Sequence, residues 1–381
     1  MIKFDNIQMV DLVNQHKKIQ KELDKVILEI SHGSDYINGE VVNFFSSELS
    51  EYLSNDVITI PCGNGTDALQ IALMALELNT GDEVIVPSFS YAATAEVIIL
   101  LGLNPVFVDV DSQSFNLDID KIEESITNKT RVIIPVHLFG QGVDMERLKF
   151  IAKKYNLFII EDNAQSLGST FTYSNGEVKK LGTIGDIGCT SFFPTKNLGC
   201  MGDGGAIFTA NIALAEKIKM IANHGQKIKY YHEVLGCNSR LDTIQAGILR
   251  KKLKHLDNYI SQRKMAALFY DAALKSVTDV QVPIRASNTS HSYHQYTIKV
   301  SSQIRKELQS FLKNKGIPTM IYYPIPLHYQ KAYMKYLKPN SNLNISEVLS
   351  KEVISLPMHT ELTEEIQSYI VSQIITFFNK S

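Results

Sequence analysis

The sequence predicts an α/β fold: a large, mostly parallel sheet covered by helices, then a smaller C-terminal α/β domain. Three observations carry that expectation. Strand-like and helix-like runs alternate from Val57 to about Asn223, the pattern of strands joined by helical crossovers. The run 158–162 is short, apolar and β-rich and ends in Glu161-Asp162, as a buried parallel strand delivering carboxylates at its C-terminal edge does. After a long helical stretch, 241–274, the pattern changes to two strand-like runs around a helix. A chain of 381 residues can build both parts, which divide into residues 1–255, including an N-terminal helical segment, and residues 256–381.

The strand-like run 57–60 leads into Pro61-Cys62-Gly63-Asn64-Gly65-Thr66-Asp67 and an apolar helix. A glycine-rich turn that opens a helix is an anion site in outline. Glycines admit a phosphate to the backbone, first-turn N–H groups lack helical partners, and the dipole favours negative charge. Gly65 and Thr66 are the candidates, although Thr66 or Asp67 equally suits an ordinary N-cap. No Gly-Lys-Ser/Thr follows, so this is not a P-loop. The runs 83–87, 105–110 and 131–136 read as further strands, with helices over 91–101 and 144–156 among them. The polar stretch 172–180 reads as a loop. Farther on, 295–300 and 318–323 read as strands flanking a helix over 304–315, and 364–379 closes the chain as a helix.

Two residues carry the chemistry. Lys196 lies in Ser191-Phe192-Phe193-Pro194-Thr195-Lys196-Asn197-Leu198, a turn between strand-like runs that continues to Gly202-Asp203-Gly204-Gly205. An ammonium enclosed by Phe192, Phe193, Pro194 and Leu198 pays for desolvation with a lowered pKa, and the neutral amine is a nucleophile able to form a Schiff base with an aldehyde cofactor. A solvated surface lysine is the alternative. Asp162, at a strand end, stands where ligands of open α/β sheets bind, and a pyridinium nitrogen needs a carboxylate there. Capping the following turn is its other use.

These pieces resemble the fold-type I pyridoxal phosphate enzymes, and more narrowly the DegT/DnrJ/EryC1/StrS sugar aminotransferases. The resemblance runs through Tyr36-Ile37-Asn38-Gly39, Gly65-Thr66-Asp67, Pro87-Ser88-Phe89-Ser90-Tyr91-Ala92-Ala93-Thr94 and Pro135-Val136-His137-Leu138-Phe139-Gly140. It continues through Glu161-Asp162-Asn163-Ala164-Gln165, the Lys196 turn, Asn238-Ser239-Arg240 and Tyr322-Tyr323-Pro324-Ile325-Pro326-Leu327-His328. It implies a seven-stranded type of sheet, Lys196 as the Schiff-base lysine, Asp162 on the pyridine nitrogen and Gln165 on the phenolic oxygen. Tyr91 would stack on the ring, unless it is a core tyrosine of its helix. Gly65, Thr66 and Ser191 would hold the phosphate, joined by Asn238 from the neighbouring subunit of a homodimer. Arg240 would meet substrate across that interface, unless it pairs with Asp242, and Tyr323 and His328 either touch substrate or serve packing.

The activity so implied is transfer of an amino group from L-glutamate to C3 of a UDP- or dTDP-linked 3-oxo sugar such as UDP-2-acetamido-3-oxo-glucuronate, for glycan or O-antigen precursors. An arginine near the sugar suits a uronate carboxylate. Amination at C4 is one alternative, and a pyridoxal phosphate-binding regulator without catalysis is another. Net charge is −2 with 20% charged residues, which offers no basic field for nucleic acid. The run Arg250-Lys251-Lys252-Leu253-Lys254-His255 reads as one solvated helix face. Cysteines at 62, 189, 200 and 237 lack zinc spacing, so no metal is expected, and they suit reduced thiols in the cytoplasm. Residues 1–6 do not read as a secretory leader, and the apolar run 97–101 is too short to cross a membrane.

Overall fold

Residues 7–339 and 341–379 are described by the computed structural model, so the expectation about residues 1–6 lies outside them. Helices α1 (Leu12–Gly33) and α2 (Glu40–Leu53) precede the sheet. The sheet begins with β1 (Ile58–Cys62), β2 (Glu83–Pro87), β3 (Asn104–Val108), β4 (Thr130–Ile133) and β5 (Phe158–Asp162). A separate hairpin, β6 (Thr170–Thr172) with β7 (Val178–Lys180), interrupts it before β8 (Ile187–Ser191) and β9 (Gly205–Thr209) complete it. The seven strands run in the order β1-β9-β8-β5-β4-β2-β3. Only β9 runs against its neighbours, so β1, β2, β5 and β8 all end on one edge, where β9 starts.

Side-chain alternation sorts the sheet into two faces. Val84, Val86, Val132 and Ile160 join one core with α3 (Gly65–Ala75), α4 (Ala93–Leu100) and, farther along the chain, residues 215–222. Ile85, Ile133 and Ile159 join another with Leu148, Ile151 and Ala152. After the short α5 (Ile122–Ser125), those last three residues belong to α6 (Met145–Tyr155), while α7 (Ile212–Ala222) supplies the former set. Strands buried on both faces explain the nearly continuous apolar runs read in the sequence. The same period of two places Asp162 on the α3/α4 face, with Ile160, and Glu161 on the α6 face, with Ile159.

Beyond α7 come an exposed hairpin, β10 (Gln226–Ile228) with β11 (Tyr231–His232), then α8 (Thr243–Leu253) and α9 (Leu256–Leu274). The expected helical stretch 241–274 is therefore two helices that break at Lys254-His255. The break has a packing cause: α8 lies against α1 and α2, whereas α9 lies against α12 (Glu364–Phe378), the closing helix. Before α12 the chain forms β12 (Tyr296–Lys299), α10 (Arg305–Asn314), α11 (Asn344–Glu352) and β13 (Val353–Leu356). Tyr270, Tyr296, Ile298, Leu308, Ile354 and Ile370 make a separate core there.

Two further expectations about secondary structure are corrected here. Residues 318–323 form no strand: β12 pairs instead with β13, leaving Met320 a single bridge to Ser355. The stretch 172–180 is not a plain loop, because its ends pair as β6 and β7 around a turn with Gly176 at φ +87°. No helix among the described residues is long and apolar enough to cross a membrane.

Candidate active site

The predicted residues converge at the sheet edge where β1, β2, β5 and β8 end. The turn carrying Lys196 follows β8 and is pinned from several sides. Phe192 N–H donates to Gly204 O at 2.7 Å and Cys200 N–H to Phe192 O at 2.8 Å. The Lys252 ammonium donates to Gly199 O at 2.7 Å, and Asn197 Nδ2 donates to Ser292 O at 3.2 Å. Phe192 and Leu198 anchor the turn in a core with Phe45, Leu49 and Leu249. Phe193, expected to help enclose the lysine, is 49% exposed and does not. Burial pulls the Lys196 amine down to about 8, against the opposing pull of the Asp162 carboxylate.

Asp162 is buried at the end of β5. Its Oδ2 accepts from Thr94 Oγ1 at 2.9 Å and its Oδ1 from Ala164 N–H at 3.2 Å. Burial raises its carboxyl, and Thr94, Ala164 and Lys196 oppose that without cancelling it. A buried carboxylate with a lysine amine near it suits a positively charged ring nitrogen at the carboxylate. Thr94, quoted in the sequence motif but given no role, is the site residue that sequence reasoning missed. It lies 68 positions from Asp162, so only its place in the first turn of α4 hinted at a polar use.

The glycine-rich turn after β1 opens α3. Asn64 caps α3 by accepting from Asp67 N–H at 2.8 Å, which leaves the Gly65 and Thr66 N–H groups without partners among the described residues. Ser191 stands against them: a Cβ on Gly65 would come within 2.7 Å of the Ser191 Cβ. A Cβ on Gly205 would meet Asn64 O at 2.4 Å, so both glycines are needed for the close approach of β8, β9 and α3. A phosphate fits this site through two free amides and a hydroxyl.

Aromatic residues line the mouth. Tyr91 precedes α4 and is 60% exposed, so it is not the core tyrosine that a helix over 91–101 would have made it. Its ring lies 6.3 Å from that of Tyr323, which also packs on Phe89 at 6.0 Å. The Tyr323 hydroxyl accepts from Gln165 Nε2 at 3.1 Å, and Gln165 Oε1 accepts from Phe139 N–H at 2.8 Å. Tyr323, whose phenol burial raises, thus keeps its own proton to donate. His328 is buried behind this wall, with Nδ1 2.5 Å from Ser88 Oγ and Nε2 3.5 Å from Glu347.

Asn238 and Arg240 sit on the segment that crosses the start of α3. Ser239, between them, accepts from Gly63 N–H at 2.9 Å and donates to Asp67 at 2.6 Å. The Asn238 side chain is exposed, and Arg240 is half-buried with no ion pair among the described residues; the alternative pairing with Asp242 does not form. No group of three or more histidine, cysteine, aspartate or glutamate side chains suited to a metal ion occurs among the described residues.

A family model described as the DegT/DnrJ/EryC1/StrS aminotransferase family matches residues 17–375. The chain belongs to that family. A relative from Geobacillus stearothermophilus named "Pleiotropic regulatory protein" is 45% identical over 98% of this aminotransferase-family chain and 99% of its own. The UDP-2-acetamido-2-deoxy-3-oxo-D-glucuronate aminotransferase of Pseudomonas aeruginosa is 42% identical over 93% and 96%. Among solved structures, ntda of Bacillus subtilis with bound cofactor PMP superposes with a TM-score of 0.89 at 30% identity, over 99% of this chain and 86% of that one. The expected aminotransferase fold is thus the one observed.

Proposed function

We propose that the chain is a pyridoxal 5'-phosphate-dependent aminotransferase that moves the amino group of L-glutamate to C3 of a nucleotide-linked 3-oxo sugar, with a UDP-linked uronate preferred over dTDP-linked sugars. One observation carries the reading: an amine with a lowered pKa, a buried carboxylate and an anion cradle lie along one edge of the sheet. Identity of 42% to the Pseudomonas uronate aminotransferase supports the substrate class, and the Bacillus structure holding PMP supports the cofactor.

When bound, the cofactor supplies an aldehyde carbon that accepts the amino group and a pyridinium ring that takes up carbanion charge. Lys196 Nζ would tether it and, when free, would take the proton from the donor's Cα. Asp162 holds the proton on the ring nitrogen. The Gly65 and Thr66 amides and the Ser191 hydroxyl hold the phosphate, Gln165 faces the phenolic oxygen with Tyr323 beside it, and Tyr91 offers its ring face. In a homodimer, Asn238 and Arg240 serve the neighbouring site, where the unpaired guanidinium meets the substrate's carboxylate or diphosphate. Residues 1–255 form the cofactor domain and 256–381 the small domain that brings Tyr323 and His328. His328, already engaged by Ser88 and Glu347, supports the wall as much as it reaches the sugar. Precursors of surface glycans such as O-antigen, made in the cytoplasm, are the setting that fits such a substrate.

The Geobacillus relative's name favours a second reading, a regulator that keeps the cofactor and not the turnover. L-Glutamate separates the two. A transaminase loses its visible cofactor band when the donor is added, then regains it with a UDP-3-oxo uronate and yields an aminated product by mass. A band indifferent to every donor favours the regulator, and product from 4-oxo sugars alone moves the reaction to C4. A Gly65→Ala substitution probes the cradle separately. Crowding against Ser191, costing roughly 1–3 kcal/mol, is expected to weaken cofactor binding about tenfold or more in a titration, with the circular dichroism unchanged.

A further inference from the structure

Two residues of the motifs framing the site have no part in the chemistry so far: His137 and Glu161. Both are fully buried. Glu161 Oε1 accepts from the N–H groups of Ile184 and Gly185, each at 2.6 Å. Its Oε2 accepts from Gly182 N–H at 2.8 Å and lies 2.9 Å from His137 Nε2. On the other side of the ring, His137 Nδ1 accepts from Val143 N–H at 3.2 Å. A nitrogen that accepts an N–H bears no proton, so the imidazole carries its single hydrogen on Nε2 and is neutral. Every neighbour of Glu161 is then a donor. A protonated carboxyl would find no acceptor, so Glu161 is ionised. Burial raises its carboxyl, but the His137 hydrogen bond and the Gly185 and Gly182 amides outweigh that and leave it below the usual carboxylate range.

The period of two along β5 sets this anion on the face opposite Asp162, one residue away, and His137 N–H donates to Asp162 O at 3.1 Å. Resting on the cofactor reading above, we propose that Glu161 is a positioning residue for that cofactor: its buried charge adds to the field of Asp162 and keeps the ring nitrogen protonated, while neutral His137 holds the Glu161 carboxylate through its ring and the Asp162 backbone carbonyl through its own N–H. The titratable groups around the pair are Lys196, His137, Cys189 and Tyr323 towards Asp162, and His137, Cys189 and Tyr173 towards Glu161. Lys196 is the cation among them, so no second positive charge offsets the loss of Glu161.

The test is nuclear magnetic resonance of the full-length protein loaded with PMP labelled with nitrogen-15 in the ring, since the ring-nitrogen shift reports protonation without turnover. Wild type should be protonated at neutral pH. In Glu161→Gln the deprotonation midpoint should fall by about one pH unit or more, the size expected for one buried charge several ångströms away. Glu161→Asp disturbs the same packing but keeps the charge, so its midpoint should stay with wild type. If Glu161→Gln does not fold, the ring nitrogen of wild type carries the test, since the proposal requires it to be protonated at neutral pH. An unchanged midpoint in Glu161→Gln, an equal fall in Glu161→Asp, or an unprotonated wild-type nitrogen overturns the proposal. Wild-type protein that retains no labelled cofactor overturns the cofactor reading beneath it.

Discussion

Lys196→Arg is expected to reduce transamination at least about a thousandfold in steady-state assays with L-glutamate, with fold and phosphate binding retained. Arginine keeps a positive charge beside Asp162, so loss of activity cannot be assigned to a lost ion pair. What disappears is an amine that can be neutral at working pH, and with it both covalent capture and the proton shuttle, a role worth about 10²–10⁴ in rate by itself. The lysine also sets a pH signature in the cofactor-free protein. Its pKa is pulled down to about 8 by burial, so below that pH the amine holds its proton and has no lone pair to attack an aldehyde. Capture of added pyridoxal phosphate, followed by its visible band, should accelerate as pH rises through about 8 and level off above. A plateau reached only near the ordinary lysine value of 10.5 would mean that the turn does not desolvate the amine. Turnover close to the wild-type rate in the arginine variant would remove Lys196 from the reaction.

Features written in consecutive residues were legible beforehand, and features made by the fold were not. Asp162 could be read because an apolar β-rich run of five residues ends in it, and Gly65-Thr66 because a glycine turn and a helix start adjoin. The Lys196 turn was legible as apolar, yet which of its two phenylalanines packs inward depends on α2 and α8, and the answer is Phe192. Tyr91 was misplaced on α4 because the helix pattern continues back to it, while in the structure the helix begins two residues later, at Ala93. β13 went unseen since its four residues follow α11 directly and only the pairing with β12 defines them. The Thr94–Asp162, Ser239–Asp67 and His137–Glu161 contacts join residues 68, 172 and 24 positions apart, where local pattern carries no information.

Asp162→Asn is expected to lower turnover by about 10²–10³, the range for removing one preorganised electrostatic contact, while binding of the phosphate is spared. The asparagine can keep the Ala164 N–H bond through its carbonyl and face Thr94 with its amide, because a hydroxyl can turn to accept. It carries no charge to hold a proton on the ring nitrogen, so the ring becomes a weaker acceptor of carbanion charge. A second readout separates this from general damage to the site. The Asp162 carboxylate opposes the burial that lowers Lys196, so its removal should let that amine fall further below about 8. Capture of pyridoxal phosphate by the cofactor-free variant should therefore reach its plateau at lower pH than in wild type, even as turnover collapses. A damaged site would slow both at every pH. Faster capture at neutral pH combined with lost turnover is the outcome that only an electrostatic role for Asp162, shared between the amine and the ring nitrogen, produces.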